Sequence, residues 1–168
     1  KIHKSVEIAR RQVEAGALGQ CCATLAEAEV MVKGGIPGVM LFSSVVTPPK
    51  IERLIACNAE AQDLLVVVDD AGNVDDLARA AKTSGKPLQL LVDFEVGGRR
   101  TGLASPDEVC DLAQRIADAD GLVYAGIQGY NGKLQATRSY VERARQQAEC
   151  VAPLKALCDR PETAGLGP

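Results

Sequence analysis

Residues 63–95 read DLLVVVDDAGNVDDLARAAKTSGKPLQLLVDFE. An unbroken aliphatic run, DLLVVVD, gives way to a helical segment, NVDDLARAAKTSG, and then to a second aliphatic run, PLQLLVDFE. Neither run alternates polar with apolar residues, as a strand with one wet face would. Continuous runs imply burial on both faces, and a helix between two of them implies parallel pairing.

The same rhythm extends in both directions. Ser5 to Ala15 reads as an amphipathic helix, with Val6, Ala9 and Val13 at helical spacing and Gly16 as its stop. LGQCCA (18–23) is a short strand, and Thr24 with Glu27 three residues on is a capping box opening the next helix, which ends at Gly34-Gly35. GVMLFS (38–43) is a strand, and TPPKIERLIAC (47–57) a helix with prolines in its first turn, where the missing N–H does no harm. Downstream, SPDEVCDLAQRIADA (105–119) is a helix with Ser105 and Glu108 as its capping box. GLVYAGIQGY (121–130) is a strand, and Thr137 to Asp159 is helical, weakened by Pro153. About five parallel strands thus alternate with helices. The class is α/β, either a doubly wound sheet or part of an eight-fold barrel.

Bulk properties narrow the function. The 168 residues are about one domain. Apolar residues make up 46% and aromatics 3%, with no Trp, so the core is built from Ala, Val, Leu and Ile. A net charge of -3 argues against nucleic acid or an anionic membrane as partner, and no apolar run approaches the roughly 18 residues of a span. Lys1 to Arg11 is polar and unlike a secretory signal. The cysteines at 21, 22, 57, 110, 150 and 158 form no C-x-x-C pair or metal-finger spacing. Cys21-Cys22 reads as a pair of small buried hydrophobes, and reduced thiols fit a cytoplasmic protein. The chain opens on Lys1 rather than Met and stops at TAGLGP just past a long helix, so it is expected to be a fragment.

In both architectures a ligand lies at the carboxyl ends of the strands. Those ends hold Gln20 to Ala23, Ser43-Ser44, Asp69-Asp70, Asp93 to Arg100 and Gln128 to Gly132. The segment LVDFEVGGRRTGL (91–103) delivers Arg99 and Arg100 into a turn containing Gly97, Gly98 and Gly102. Either the arginines are solvated and helix-flanking, or the glycines let the backbone approach a ligand that one of them binds. In GIQGYNG (126–132), Tyr130 either caps the core with a wet hydroxyl or stacks on a planar ligand. Asp69-Asp70 reads as a turn and a helix N-cap. There is no G-x-G-x-x-G after the first strand, no P-loop and no nucleophile elbow, and a single histidine argues against a hydrolase triad. KIHKS (1–5) by itself is an exposed basic end.

Taken together, KIHKSVEIARRQVEAGA, CATLAEAEVMVKGGI, LVDFEVGGRRTGL and GIQGYNG resemble, in order, segments of the fold-type III pyridoxal-phosphate enzymes. These are the alanine-racemase-like barrels, and the likeness is strongest to the D-threonine aldolases. The resemblance implies a partial eight-stranded β/α barrel over residues 1–168, whose first strand, closing strands and C-terminal β domain lie outside the chain. It makes Lys1 the Schiff-base lysine and Arg100 the donor to the cofactor's pyridine nitrogen, with Arg99 a surface or structural residue. Tyr130 is the aromatic beside the ring, and Gln128 and His3 are further site candidates. Ile2 stands where the family has threonine. The implied activity is retro-aldol cleavage of a D-3-hydroxy amino acid to glycine and an aldehyde, helped by a divalent metal such as manganese. The metal ligands and the phosphate loop are expected outside this chain, which by itself is expected to be inactive. D-serine dehydratase, amino-acid racemase and a non-catalytic cofactor carrier are alternatives within the same fold. The resemblance implies a small D-amino acid as substrate, and the whole protein is expected to be a monomer or homodimer.

Overall fold

The computed structural model of the chain describes residues 2–160, 163, 165 and 166. Strand and helix alternate throughout: α1 Val6–Glu14, β1 Gln20–Cys22, α2 Leu25–Lys33, β2 Val39–Leu41, α3 Pro48–Glu60, β3 Leu64–Val68 and α4 Ala71–Ala81. They continue with β4 Leu88–Phe94, α5 Pro106–Asp118, β5 Leu122–Gly129, a 3-10 turn Gly132–Ala136 and α6 Tyr140–Cys158. The five strands form one parallel sheet in the order β1-β2-β3-β4-β5.

That order decides between the two α/β architectures. A doubly wound sheet reverses direction at a switch point, and here every strand is added on the same side of its predecessor. Parallel crossovers share one hand, so the helices of such a sheet all fall on one face. The opposite face becomes the interior of a barrel, of which these five strands form an open arc.

The burial pattern agrees. Val39, Leu41, Leu64, Val66, Val68, Leu88, Leu90 and Val92 are at most 1% exposed and join the helices' Ala28, Leu54, Leu77, Val109 and Ile116 in one aliphatic core. The intervening residues, Cys21, Met40, Leu65, Val67, Leu91 and Asp93, point to the interior by the strand's two-residue period. Cys21-Cys22 therefore splits: Cys22 is 2% exposed in the core, and Cys21 is exposed with its Sγ 4.0 Å from Met40 Sδ. The pair read as two buried hydrophobes is one, because neighbours on a strand face opposite ways.

Helix starts follow the capping residues. The Ser105 side chain accepts from the Asp107 N–H, and the Glu108 carboxylate accepts from the Ser105 N–H, completing the expected box. At α2 only half forms as expected. Thr24 Oγ1 accepts the Glu27 N–H, but the Glu27 carboxylate reaches past Thr24 to the Ala23 N–H (2.7 Å) and pairs with Lys4 (2.8 Å). The Lys4 hydrogen bond holds the Glu27 carboxyl below the usual carboxylate range. The last helix starts at Tyr140 rather than Thr137, with Ser139 as its N-cap, and Pro153 lies inside it.

Candidate functional site

The carboxyl ends of β4 and β5 build the candidate site, and a bulge in β5 determines what faces it. Leu90 pairs with Tyr124 but Leu91 pairs with Gly126, so Ala125 is an extra residue. Gly126 takes φ +121°, a conformation open chiefly to glycine. A strict two-residue period would put Gln128 on the same face as the buried Tyr124. The bulge reverses that parity, making Gln128 the register partner of Asp93 on the barrel-interior face.

Asp93 is 3% exposed, the one charged residue of its strand, near its carboxyl end. Its Oδ1 accepts from Gln128 Nε2 at 3.0 Å and its Oδ2 from Thr101 Oγ1 at 2.7 Å. The chain leaves β4, turns through residues 97–102 and returns alongside it. Leu103 N–H donates to Asp93 O, and Glu95 N–H to Leu103 O, both at 2.9 Å. Gly102 N–H donates to Asp69 Oδ2 at 3.0 Å, and Ser44 Oγ lies 3.4 Å from Asp69 Oδ1. Asp70 is the expected N-cap, accepting from Asn73 N–H at 2.8 Å. Asp69 is no local turn residue; it ties the ends of three neighbouring strands together.

This loop brings Arg100 over Tyr130, with the guanidinium carbon 5.1 Å from the ring centroid. Tyr130 OH accepts from Gln135 Nε2 at 3.2 Å. The approach is close: a side chain at Gly98 would place its Cβ 2.7 Å from Tyr130 O. Arg100, Gln128 and Tyr130 line one cleft of about 300 Å³ together with Cys21, Phe42 and Gln135. His3 lies outside it, in a neighbouring hollow with Lys4, Gln12 and Gln20 that shares Cys21 with the cleft. Lys1 lies outside the described residues. Arg99 takes φ +51° and is exposed, beside the cleft rather than lining it.

Three of the residues singled out from sequence thus converge, and Asp93, Thr101 and Gln135 complete them. Asp93 left a trace, a lone carboxylate in an aliphatic run at a strand's carboxyl end. Gln135 left none, because it reaches Tyr130 from the 3-10 turn.

The chemistry of the lining fits a flat, electron-poor ligand. A tyrosine ring offers a stacking face, a guanidinium a donor that keeps its proton, and a glutamine amide both a donor and an acceptor. Among the described residues no three His, Cys, Asp or Glu side chains converge to hold a metal ion.

A parallel β/α barrel arc with a cleft at the carboxyl ends of its strands defines a β/α-barrel domain whose candidate site lies where such barrels bind their ligands. The chain belongs to the alanine racemase N-terminal domain family, whose pattern covers residues 1–166. It is similar to the 3-hydroxy-D-aspartate aldolase of Paracoccus denitrificans (strain Pd 1222), at 34% identity over all of this chain and 44% of that protein. It is also similar to the D-threonine aldolase of an Arthrobacter species, at 37% identity over 90% of this chain and 41% of that protein. Among solved structures, the D-threonine aldolase from Filomicrobium marinum superposes with a TM-score of 0.87 at 37% identity, covering 92% of this chain and 41% of that one. The chain therefore spans less than half the length of the relatives it matches. Among the described residues no helix is long and apolar enough to cross a membrane.

Proposed function

We propose that the protein containing this chain is a pyridoxal-phosphate-dependent aldolase that splits D-3-hydroxy amino acids into glycine and an aldehyde. The observation that carries the reading is the convergence of Arg100, Gln128 and Tyr130 on one cleft at the strand ends. The names of the relatives at 34–37% identity, both aldolases of hydroxylated D-amino acids, supply the reaction class.

Bound pyridoxal phosphate would supply the electron sink for the pair left on Cα when the Cα–Cβ bond breaks. Lys1 would hold the cofactor covalently through its amine. Arg100 would donate to the pyridine nitrogen without surrendering its proton, because a guanidinium stays protonated. Tyr130 would stack on the ring and Gln128 would contribute a hydrogen bond at its edge, while His3, in the neighbouring hollow, makes no contact in this scheme. The proton on the substrate's 3-hydroxyl must leave as the bond breaks, and a divalent metal held by residues elsewhere in the whole protein would assist that step. The free cysteines among the described residues suit a cytoplasmic setting.

The test is on the protein expressed from its complete reading frame. With D-threonine or D-3-hydroxyaspartate and manganese, equimolar glycine and aldehyde are expected. Ammonia and a keto acid without glycine would make it a dehydratase, and interconversion of alanine enantiomers a racemase. Absence of any turnover with cofactor bound would make it a carrier. Replacing Lys1 with Ala is expected to abolish the visible absorbance of the bound cofactor; if that absorbance persists, another lysine holds it.

A further inference from the structure

Both residues that follow Arg100 are tied to buried or half-buried strand-end carboxylates. Thr101 donates its hydroxyl to Asp93, and Gly102 donates its N–H to Asp69. Arg100 itself is exposed, with its guanidinium held only 5.1 Å above the Tyr130 ring. Its direction is therefore set by the backbone that carries it, and that backbone is set by the two carboxylates.

Asp93 does a second thing. A glutamine amide presents an oxygen or an NH₂ to its surroundings after a half-turn about its last torsion, and alone it has little reason to prefer either. Opposite a carboxylate only one orientation is acceptable, because two acceptors repel and a donor is needed. With Nε2 directed to Asp93 Oδ1, Gln128 turns its carbonyl oxygen away from Asp93 and keeps one N–H free. The carboxylate has no freedom to adapt either. It is 3% exposed, its other oxygen takes the Thr101 hydroxyl, and its own main chain is paired to Leu103.

We infer that Asp93 is a positioning residue of the cofactor site, fixing the direction of Arg100 through Thr101 and the orientation of the Gln128 amide directly. The inference rests on the pyridoxal-phosphate reading above and deepens it. Asp93 touches no ligand in this scheme. It holds two ligand-binding groups, from adjacent strands, in one mutual geometry before the ligand arrives, which removes an ordering cost from binding.

A carboxylate that merely stabilises the strand pair predicts something different from one that selects an amide orientation, and a polarity swap separates them. In the whole protein, Asp93→Asn places an amide opposite Gln128, and Gln128→Glu places a carboxylate opposite Asp93 across the 3.0 Å that a hydrogen bond now spans. The double variant restores one donor facing one acceptor, with the roles exchanged. Two quantities are read for each protein: the dissociation constant for pyridoxal phosphate, titrated into the apoprotein, and the melting temperature of the apoprotein. Gln128→Glu, which sets two carboxylates against each other, is expected to bind the cofactor about tenfold or more weakly. Asp93→Asn, whose amide can still accept from Gln128 through its oxygen, is expected to lose less, and the double to return to within about threefold of wild type, the non-additivity that marks a direct pair.

A Q128E protein that binds as wild type overturns the inference. So does a loss that tracks the melting temperature and is not recovered in the double, because that is a stability effect alone. If the wild-type protein does not take up pyridoxal phosphate, the functional reading fails and this inference with it. Binding by wild type with no effect of Q128E, or with no rescue of Q128E by D93N, sinks the inference and leaves the functional reading in place.

Discussion

The Arg100 guanidinium lies 5.1 Å above the Tyr130 ring, although thirty positions separate the two residues in the chain. The contact joins the loop after β4 to the end of β5, and Gly98 lets the loop come near enough to make it. A planar cation on an aromatic face is a pairing that lysine does not reproduce, because an ammonium is a compact, strongly hydrated point charge.

Arg100→Lys is accordingly expected to weaken cofactor binding by about tenfold while leaving thermal stability unchanged, since both side chains reach solvent. Titration of the apoprotein with pyridoxal phosphate measures the first, and a thermal melt the second. Unaltered affinity would remove Arg100 from the site.

Gly98→Ala is expected to destabilise by roughly 1–3 kcal/mol, because its Cβ would meet a carbonyl oxygen rather than a movable side chain. The obstacle is Tyr130 O at 2.7 Å. Relief requires the loop and the end of β5 to separate, so the Tyr130 stacking face moves with it. Urea unfolding gives the stability change. A variant as stable as wild type would show that the two segments part freely.

Gly126→Ala tests the bulge by a different route. Its Cβ would find space, the nearest heavy atom being Leu91 Cδ2 at 3.7 Å, so the cost comes from φ +121° and is expected to be about 1–2 kcal/mol. If the strand instead straightens, Gln128 turns away from Asp93. Cofactor affinity should then fall further than the stability loss explains.

Two thiols make the fold sensitive to alkali. Burial, aided by Glu27, pushes the Cys22 thiol up to about 11, and burial with Glu29 nearby does the same for Cys57, against an ordinary value of 9.0. Between roughly pH 9 and 11 the unfolded chain has lost these protons and the folded chain retains them. The unfolded state then binds fewer protons, so stability is full below pH 9 and declines as pH rises through that window. Unfolding midpoints measured from pH 8 to 11 should fall, and Cys22→Ala with Cys57→Ala should flatten the decline whatever it does to the absolute value. A slope unchanged in the double variant would assign the effect to other groups.

Asn58 is 2% exposed on the inward side of α3, where its Nδ2 donates to Lys86 O at 3.3 Å and Pro87 O at 3.2 Å. Asn58→Leu preserves the bulk but strands two carbonyls at the entry to β4, at a cost of roughly 1–3 kcal/mol. Chemical denaturation checks the value, and a neutral result would mean water replaces the amide.

Most of the fold was legible because the forces that shape it are local in sequence. Aliphatic runs bounded by caps and glycines located all five strands, and Ser105 and Glu108 marked their helix start to the residue. Some of the readings that missed had partners from elsewhere in the chain. Lys4 competes for the Glu27 carboxylate, and Asp69 serves Gly102 and Ser44 instead of its own turn; the start of α6 was missed for a local reason, Ser139 capping it at Tyr140.

The candidate site divides along the same line. Glycines beside arginines at a strand end marked Arg99 and Arg100 together, and a tyrosine among glycines marked Tyr130, while the family resemblance singled out Arg100 of the pair. What no pattern in one segment contains is register. The extra residue at Ala125 turns Gln128 to the inner face opposite Asp93, and the monotonic strand order makes that face a barrel interior instead of a second helical layer. The sequence by itself determined which segments are strands, which are helices and which strand ends carry polar groups, since these follow from hydrophobicity and backbone preference read a few residues at a time. Only the tertiary structure decided which of those groups meet, because a strand's facing depends on its hydrogen-bonded neighbour, and a single bulge reverses it.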